Sequence, residues 1–240
     1  MKKSAKILAL AVALFAGFGS GAAQAEGFKT GVDLVSSYVW RGTELGNSPA
    51  IQPTLTFTLD NGIVLGGWGS YAILKDKNLN TTATAATDYR YQEVDLSLTI
   101  PAGPFSLAVV DYYIPNLSAS NTKAFDFSKT GPNVVEADVT YTAGDLSLLG
   151  AYNLSGADAA GSHAYYGEAS YKFYSSKDGY SAKAVCGAGS KYFYGGDTTN
   201  TEKKLALVNT GISVSKDRFT ASYVYNPISE KSNLVFMASF

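Results

Sequence analysis

The chain has 240 residues with 19 basic and 20 acidic side chains, a formal net charge of −1, one cysteine and one histidine. Nothing in that balance suggests a nucleic-acid partner, which requires a basic patch, and a single cysteine excludes an intramolecular disulfide. Tyrosines (17), phenylalanines (12) and glycines (24) are abundant, and beyond the first residues no apolar run approaches the ~20 residues of a spanning helix.

Residues 1–25 read as a cleaved export signal. Lys2, Lys3 and Lys6 form a positive start, Ile7 to Phe18 is a short apolar run, and Ala23-Gln24-Ala25 has the small-residue form of a cleavage site. No cysteine stands near that site, so no lipid anchor is expected. Glu26 then begins a single domain, 26–240. Loss of three lysines and no acid takes the net charge from −1 to −4.

Twelve strands are predicted in chain order: Lys29–Arg41, Ala50–Leu59, Ile63–Ile73, Tyr91–Ile100, Phe105–Ile114, Val134–Thr142, Leu146–Leu154, His163–Phe173, Tyr180–Phe193, Lys204–Ser215, Arg218–Asn226 and Ser232–Phe240. The second shows the rule. Ile51, Leu55, Phe57 and Leu59 face one way, and Gln52, Thr54, Thr56 and Thr58 the other. Asp60-Asn61-Gly62 follows as a tight turn, with Asn and Gly available for positive φ. Short turns alternate with longer polar links at 42–49, 75–90, 115–132, 155–162, 195–203 and 227–231. Such alternation fits an antiparallel transmembrane β-barrel with short periplasmic turns and longer extracellular loops, and fits a Greek-key sandwich poorly.

The faces agree with this fold. Val94, Leu96, Leu98 and Ile100, then Val135, Ala137, Val139 and Tyr141, then Phe219, Ala221, Tyr223 and Tyr225 form apolar rows suited to lipid. By the same parity Asp33, Arg41, Glu93, Asp95, Glu136, Asp138, Glu168, Lys172, Lys183, Lys191 and Arg218 line the lumen. Aromatics gather near the strand ends as interfacial girdles: Tyr38, Trp40, Tyr71, Tyr112, Tyr152, Tyr165, Tyr192 and Tyr225 at the long-loop end, and Phe28, Phe105, Tyr141, Phe173, Tyr180, Phe219 and Phe240 at the other. Cys186 is expected as a small wall residue. Phe240 ends an alternating strand and resembles the signal read by outer-membrane barrel assembly machinery. Pro53 interrupts a ladder, and Trp68 and Asp111 fall out of phase with their neighbours; a bulge could re-phase either strand, at a position the sequence does not fix.

Val35 to Gly42 (VSSYVWRG), Ser48 to Phe57 (SPAIQPTLTF), Gly66 to Tyr71 (GWGSY), Glu93 to Leu96 (EVDL), Asp111 to Pro115 (DYYIP) and Val134 to Ala137 (VVEA) together resemble the TorF family of porins, also grouped as Gcw_chp-type bacterial proteins. The likeness is clear over Val32 to Tyr141 and only stylistic beyond. It implies an outer-membrane barrel in a Gram-negative bacterium and no catalytic residues.

Three functions fit such a chain. The first is a porin passing small polar solutes or ions, with acids and lysines on opposite sides of the lumen setting up a transverse field. Arg41, in Trp40-Arg41-Gly42 at the end of the first strand, is expected at the outer rim. The second is a structural or adhesive barrel with a plugged lumen, acting through its loops and embedded in outer-membrane lipid. The third, a barrel hydrolase, fares worst. Its base would be His163 beside Ser162, and neighbours on a strand face opposite sides. No zinc spacing, P-loop or dinucleotide fingerprint occurs, so neither a cofactor nor a metal is expected.

Overall fold

In the computed structural model, which describes residues 27–75, 90–115, 122–128, 131–156, 163–195 and 204–240, nearly every element is a strand. The expected leader and the greater part of the long links lie outside the described residues. The strands are β1 (Gly27–Val35), β2 (Tyr38–Trp40), β3 (Thr43–Leu45), β4 (Ala50–Thr58), β5 (Val64–Ala72), β6 (Gln92–Ala102), β7 (Phe105–Tyr113), β8 (Asn133–Ala143), β9 (Leu146–Gly156), β10 (Tyr165–Ser175), β11 (Tyr180–Ser190), β12 (Leu205–Lys216), β13 (Phe219–Asn226) and β14 (Lys231–Ser239). One helical turn, α1 (Lys191–Tyr194), follows β11.

Twelve of these strands form a closed antiparallel barrel, and β2 and β3 pair only with each other. Each wall strand pairs with its neighbours in sequence, and β14 closes onto β1 with Asp33 opposite Ser239. Val32 N–H donates to Phe240 O at 3.0 Å and Phe240 N–H to Val32 O at 2.9 Å. Closure leaves no strand edge to be capped.

The alternating pattern fixes which face is which. Val94, Leu98 and Ile100 on β6 and Val139 on β8 are exposed on the outside, while Glu93, Asp95, Glu136 and Asp138 are buried within. Phe28, Phe105, Phe173, Phe219 and Phe240 are exposed at the short-turn end, and Tyr71 and Tyr152 at the other.

Several expectations need correction. The first strand ends at Val35 and not at Arg41. The chain breaks at Ser36-Ser37 and forms a separate hairpin. The ninth strand ends at Ser190, because the chain coils into α1. Trp68 and Asp111 need no bulge. Trp68 stands opposite Asp95 on the inner face in unbroken register. Asp111 keeps the outward parity of Val109, and Asn133 Nδ2 donates to its Oδ1 at 2.9 Å. Register breaks fall at Val135/Glu136, Lys172/Tyr174 and Gly187/Ala188. At the 60–62 turn only Gly62 takes positive φ (82°), and the Asn61 side chain accepts from Ile63 N–H at 3.1 Å.

Deleting Phe240 removes both backbone bonds that seal β1 to β14 at that point. At about 0.5–1.5 kcal/mol per bond, urea unfolding of the refolded barrel in detergent is expected to show a loss of about 1–3 kcal/mol.

Candidate functional site

The hairpin β2–β3 does not join the wall. It folds into the lumen at the end where the long links leave. Trp40 pairs with Thr43 across the two-residue turn Arg41-Gly42. Both turn residues have positive φ, 47° and 85°, as the tight hairpin turn that suits twisted strands demands. Gly42 is required twice over. Its φ disfavours a side chain, and a Cβ there would lie 2.1 Å from the Val208 carbonyl oxygen of β12.

The tip carries Arg41 across the barrel to the far wall. Its Nη1 donates to Glu136 Oε2 at 2.7 Å and its Nη2 to Glu136 Oε1 at 2.8 Å. Glu136 lies on β8, five positions from β1 around the barrel, and Tyr166 on β10 lies five positions round the other way. Nη1 also donates to Tyr194 Oη at 2.9 Å, and Tyr112 Oη donates to Glu136 Oε1 at 2.8 Å. The guanidinium stands 4.5 Å from the Tyr166 ring centroid, 4.6 Å from Trp40 and 5.5 Å from Tyr194. Arg41 is 6 % exposed and Glu136 fully buried. A bidentate pair with nearly every polar atom occupied is the condition under which a buried ion pair is tolerated. Burial by itself lowers the Arg41 pKa, but Glu136, with Tyr194 and Tyr112, raises it well above its ordinary value, so the tip stays charged.

The base of the hairpin is held by packing. Tyr38 lies against Trp68 of β5 (5.3 Å between centroids) and against Tyr91 (5.8 Å). Trp40 meets Tyr112 at 5.8 Å and Tyr194 at 5.5 Å. The Tyr194 carbonyl accepts from Thr43 Oγ1 at 3.3 Å and from Asn226 Nδ2 at 2.9 Å, which ties α1 to both the hairpin and β13. Gly187 and Gly189 on β11 leave the space filled by the Tyr166 and Tyr194 rings. Between hairpin, α1 and wall lies a cavity of about 230 Å³.

The expected lumen residues divide into groups. Glu93, Asp95, Glu136 and Asp138 gather inside the mouth, and the plug's Arg41 is the cation placed among them. Arg41 is therefore an interior latch and not a rim residue. Asp33 shares the inner face with Gln52. Glu168 faces inward, accepting from Tyr166 Oη at 2.5 Å and Asn209 Nδ2 at 3.1 Å. Lys172 and Lys183 stand directly opposite each other on β10 and β11, away from the acid cluster. Lys172 pairs with Asp145 at 2.8 Å, both half exposed at the short-turn end. In place of the expected field of acids against lysines across the lumen, the acid cluster faces Arg41.

Two assignments fail. Lys191 opens α1, so strand parity does not apply to it. Arg218 is exposed at the short-turn rim with its guanidinium 5.1 Å from the Phe240 ring, outside the lumen. Of the expected outer girdle, Tyr38 and Trp40 are plug residues, Tyr112 of β7 turns its ring inward against Trp40, and Tyr192 lies in α1. Cys186 is a free thiol on the exposed wall. His163 precedes β10, with its ring stacked on Tyr152 and Nδ1 3.1 Å from the Asn153 carbonyl oxygen. Among the described residues, no group of three or more His, Cys, Asp or Glu side chains is placed to hold a metal ion.

Tyr166, Tyr194, Asn153 and Asn209 escaped the sequence reading. The available signals were the out-of-phase Trp68 and the breakers around residues 38–45. Ser36-Ser37 precedes that stretch and Gly46-Asn47-Ser48 follows it, with three residues on each side of Arg41-Gly42.

The family described as bacterial protein of unknown function (Gcw_chp) matches residues 19–226. The chain belongs to that family. No curated protein matches it. The matched span of this Gcw_chp chain contains the whole plug: the hairpin, Glu136, Tyr166 and α1.

Replacing Arg41 by Ala strands the Glu136 carboxylate in a buried site, and breaking such a pair costs about 3–5 kcal/mol. The outcome expected in detergent unfolding is a large loss for Arg41→Ala and substantial recovery in Arg41→Met/Glu136→Leu. Gly42→Ala is expected to free the tip from β12, read as increased protease cleavage within 38–45 while the barrel core stays intact.

Proposed function

We propose that this protein is an outer-membrane channel for small polar solutes or ions, constricted at its mouth by the Arg41 hairpin. The observation that carries the reading is a closed barrel, apolar outside and acidic inside, whose lumen is crossed from β1 to β8 by one latched hairpin. The apolar outer face with aromatics at both ends suits lipid. The resemblance to TorF porins supports the same assignment. Export through a leader cleaved before Glu26, insertion by barrel assembly machinery acting on the strand that ends at Phe240, and the absence of catalysis belong to this proposal. The hairpin itself favours a second reading, a permanently plugged barrel that acts through its loops.

Planar-bilayer recording of the refolded chain separates the two. The channel reading expects small discrete steps with cation preference from Glu93, Asp95 and Asp138, which the amide variants diminish. Deleting 38–45, or Arg41→Ala, is expected to enlarge the steps severalfold. If a folded barrel stays silent both with and without the hairpin, the channel reading fails. For the membrane assignment, Leu98→Arg at mid-wall is expected to lower stability in lipid vesicles by about 2–4 kcal/mol, and the inward Ser97→Arg by clearly less.

A further inference from the structure

The cavity beside the latch lies between the hairpin, α1 and the inner face of the wall. Its volume of about 230 Å³ is bounded by Trp40, Tyr91, Tyr112, Phe193 and Tyr194, with Leu45 of the hairpin closing one side. Asn153 of β9 also lines it. This side chain is 1 % exposed, and its Nδ2 has no hydrogen-bond partner. A buried amide donor without a partner is costly, and such an atom in an aromatic-walled space marks a place for an acceptor. An apolar cavity of roughly 150 Å³ takes a benzene molecule, so this one has room for a ring with a short substituent.

The charges nearby decide the ligand class. Glu93 also lines the cavity, but its Oε2 already accepts from Tyr91 Oη at 2.8 Å. The Arg41 guanidinium already occupies the ring faces of Trp40 and Tyr194, which disfavours a second cation there. Both Arg41 Nη atoms are committed to Glu136, and the surrounding acids disfavour an anion. We propose that this cavity is a binding site for a small neutral aromatic molecule bearing one hydrogen-bond acceptor, which Asn153 Nδ2 engages. Such a ligand would rest on the Leu45 side of the hairpin and so add to the contacts that hold the plug. Binding does not require that the barrel pass current.

The test is fluorine NMR titration of the refolded full barrel in detergent, with protein-free micelles as the blank. The probes are 4-fluoroacetophenone, 1-ethyl-4-fluorobenzene, which lacks the carbonyl, and 4-fluorobenzyltrimethylammonium. The expected result is saturable binding of the ketone, preferred over the hydrocarbon by about tenfold, as an otherwise unpaired buried donor implies. Asn153→Leu is expected to erase that preference while leaving the hydrocarbon bound. Asn153 is fully buried, so a second variant guards against misfolding. Leu45→Phe, on the hairpin, fills the space and is expected to abolish binding of both neutral probes. No saturable binding to the folded wild type, or binding indifferent to Leu45→Phe, overturns the site. Preference for the ammonium probe overturns the ligand class.

Discussion

A strand sends alternate side chains to opposite faces, and a closed barrel turns one of those faces wholly inward. Much else in this protein follows from that constraint. With an apolar outer wall, the polar half of every strand must share one lumen. Glu93, Asp95, Glu136 and Asp138 come from β6 and β8, two strands separated only by β7, and are buried together in the mouth. Four carboxylates packed away from water demand compensation. The wall's facing lysines, Lys172 and Lys183, sit lower, toward the short turns.

For Glu136 the compensating charge arrives from outside the wall pattern. The chain leaves the sheet after Val35, doubles back through the lumen, and presents Arg41 to Glu136. The fit is specific. Glu136 Oε1 takes Arg41 Nη2 and the Tyr112 hydroxyl, and three aromatic rings face the guanidinium. This geometry suits arginine and not lysine, because a planar fork meets both carboxylate oxygens while stacking on rings. The residue that compensates Glu136 therefore also fills part of the lumen. One side chain thus both holds charge and occupies the lumen. Whatever weakens the latch alters both the field in the lumen and the packing that fills it.

The plug changes the meaning of several aromatic residues. Tyr38, Trp40 and Tyr112 sit at sequence positions that suit an interfacial girdle, yet their rings face inward and build a core where a barrel of this kind would otherwise be hollow. Gly187 and Gly189 are the counterpart, since they leave the wall bare where Tyr166 and Tyr194 need room. The cavity beside Trp40 arises from this packing of a two-stranded hairpin and a single helical turn within a curved wall. Flat rings on a short hairpin do not tile the inside of a barrel completely.

The twelve wall strands, their order, their short turns and the inner or outer direction of most residues were legible in the sequence, because period-two alternation and Gly- or Asp-bearing turns are local properties. Glu93, Asp95, Glu136, Asp138 and Glu168 were placed inside for that reason alone. The fate of residues 36–45 and 191–194 was not legible. Tyr38-Val39-Trp40 alternates as well as any wall segment, and only the three-dimensional position of Glu136, nearly a hundred residues away, makes an inward hairpin preferable to two more turns of ladder. Arg218 and Lys191 were misplaced because parity has no meaning once the chain leaves the strand. Local pattern thus determined the wall. The content of the lumen was decided by tertiary structure, since long-range charge pairing and the volume enclosed by closure exist only after the barrel has formed.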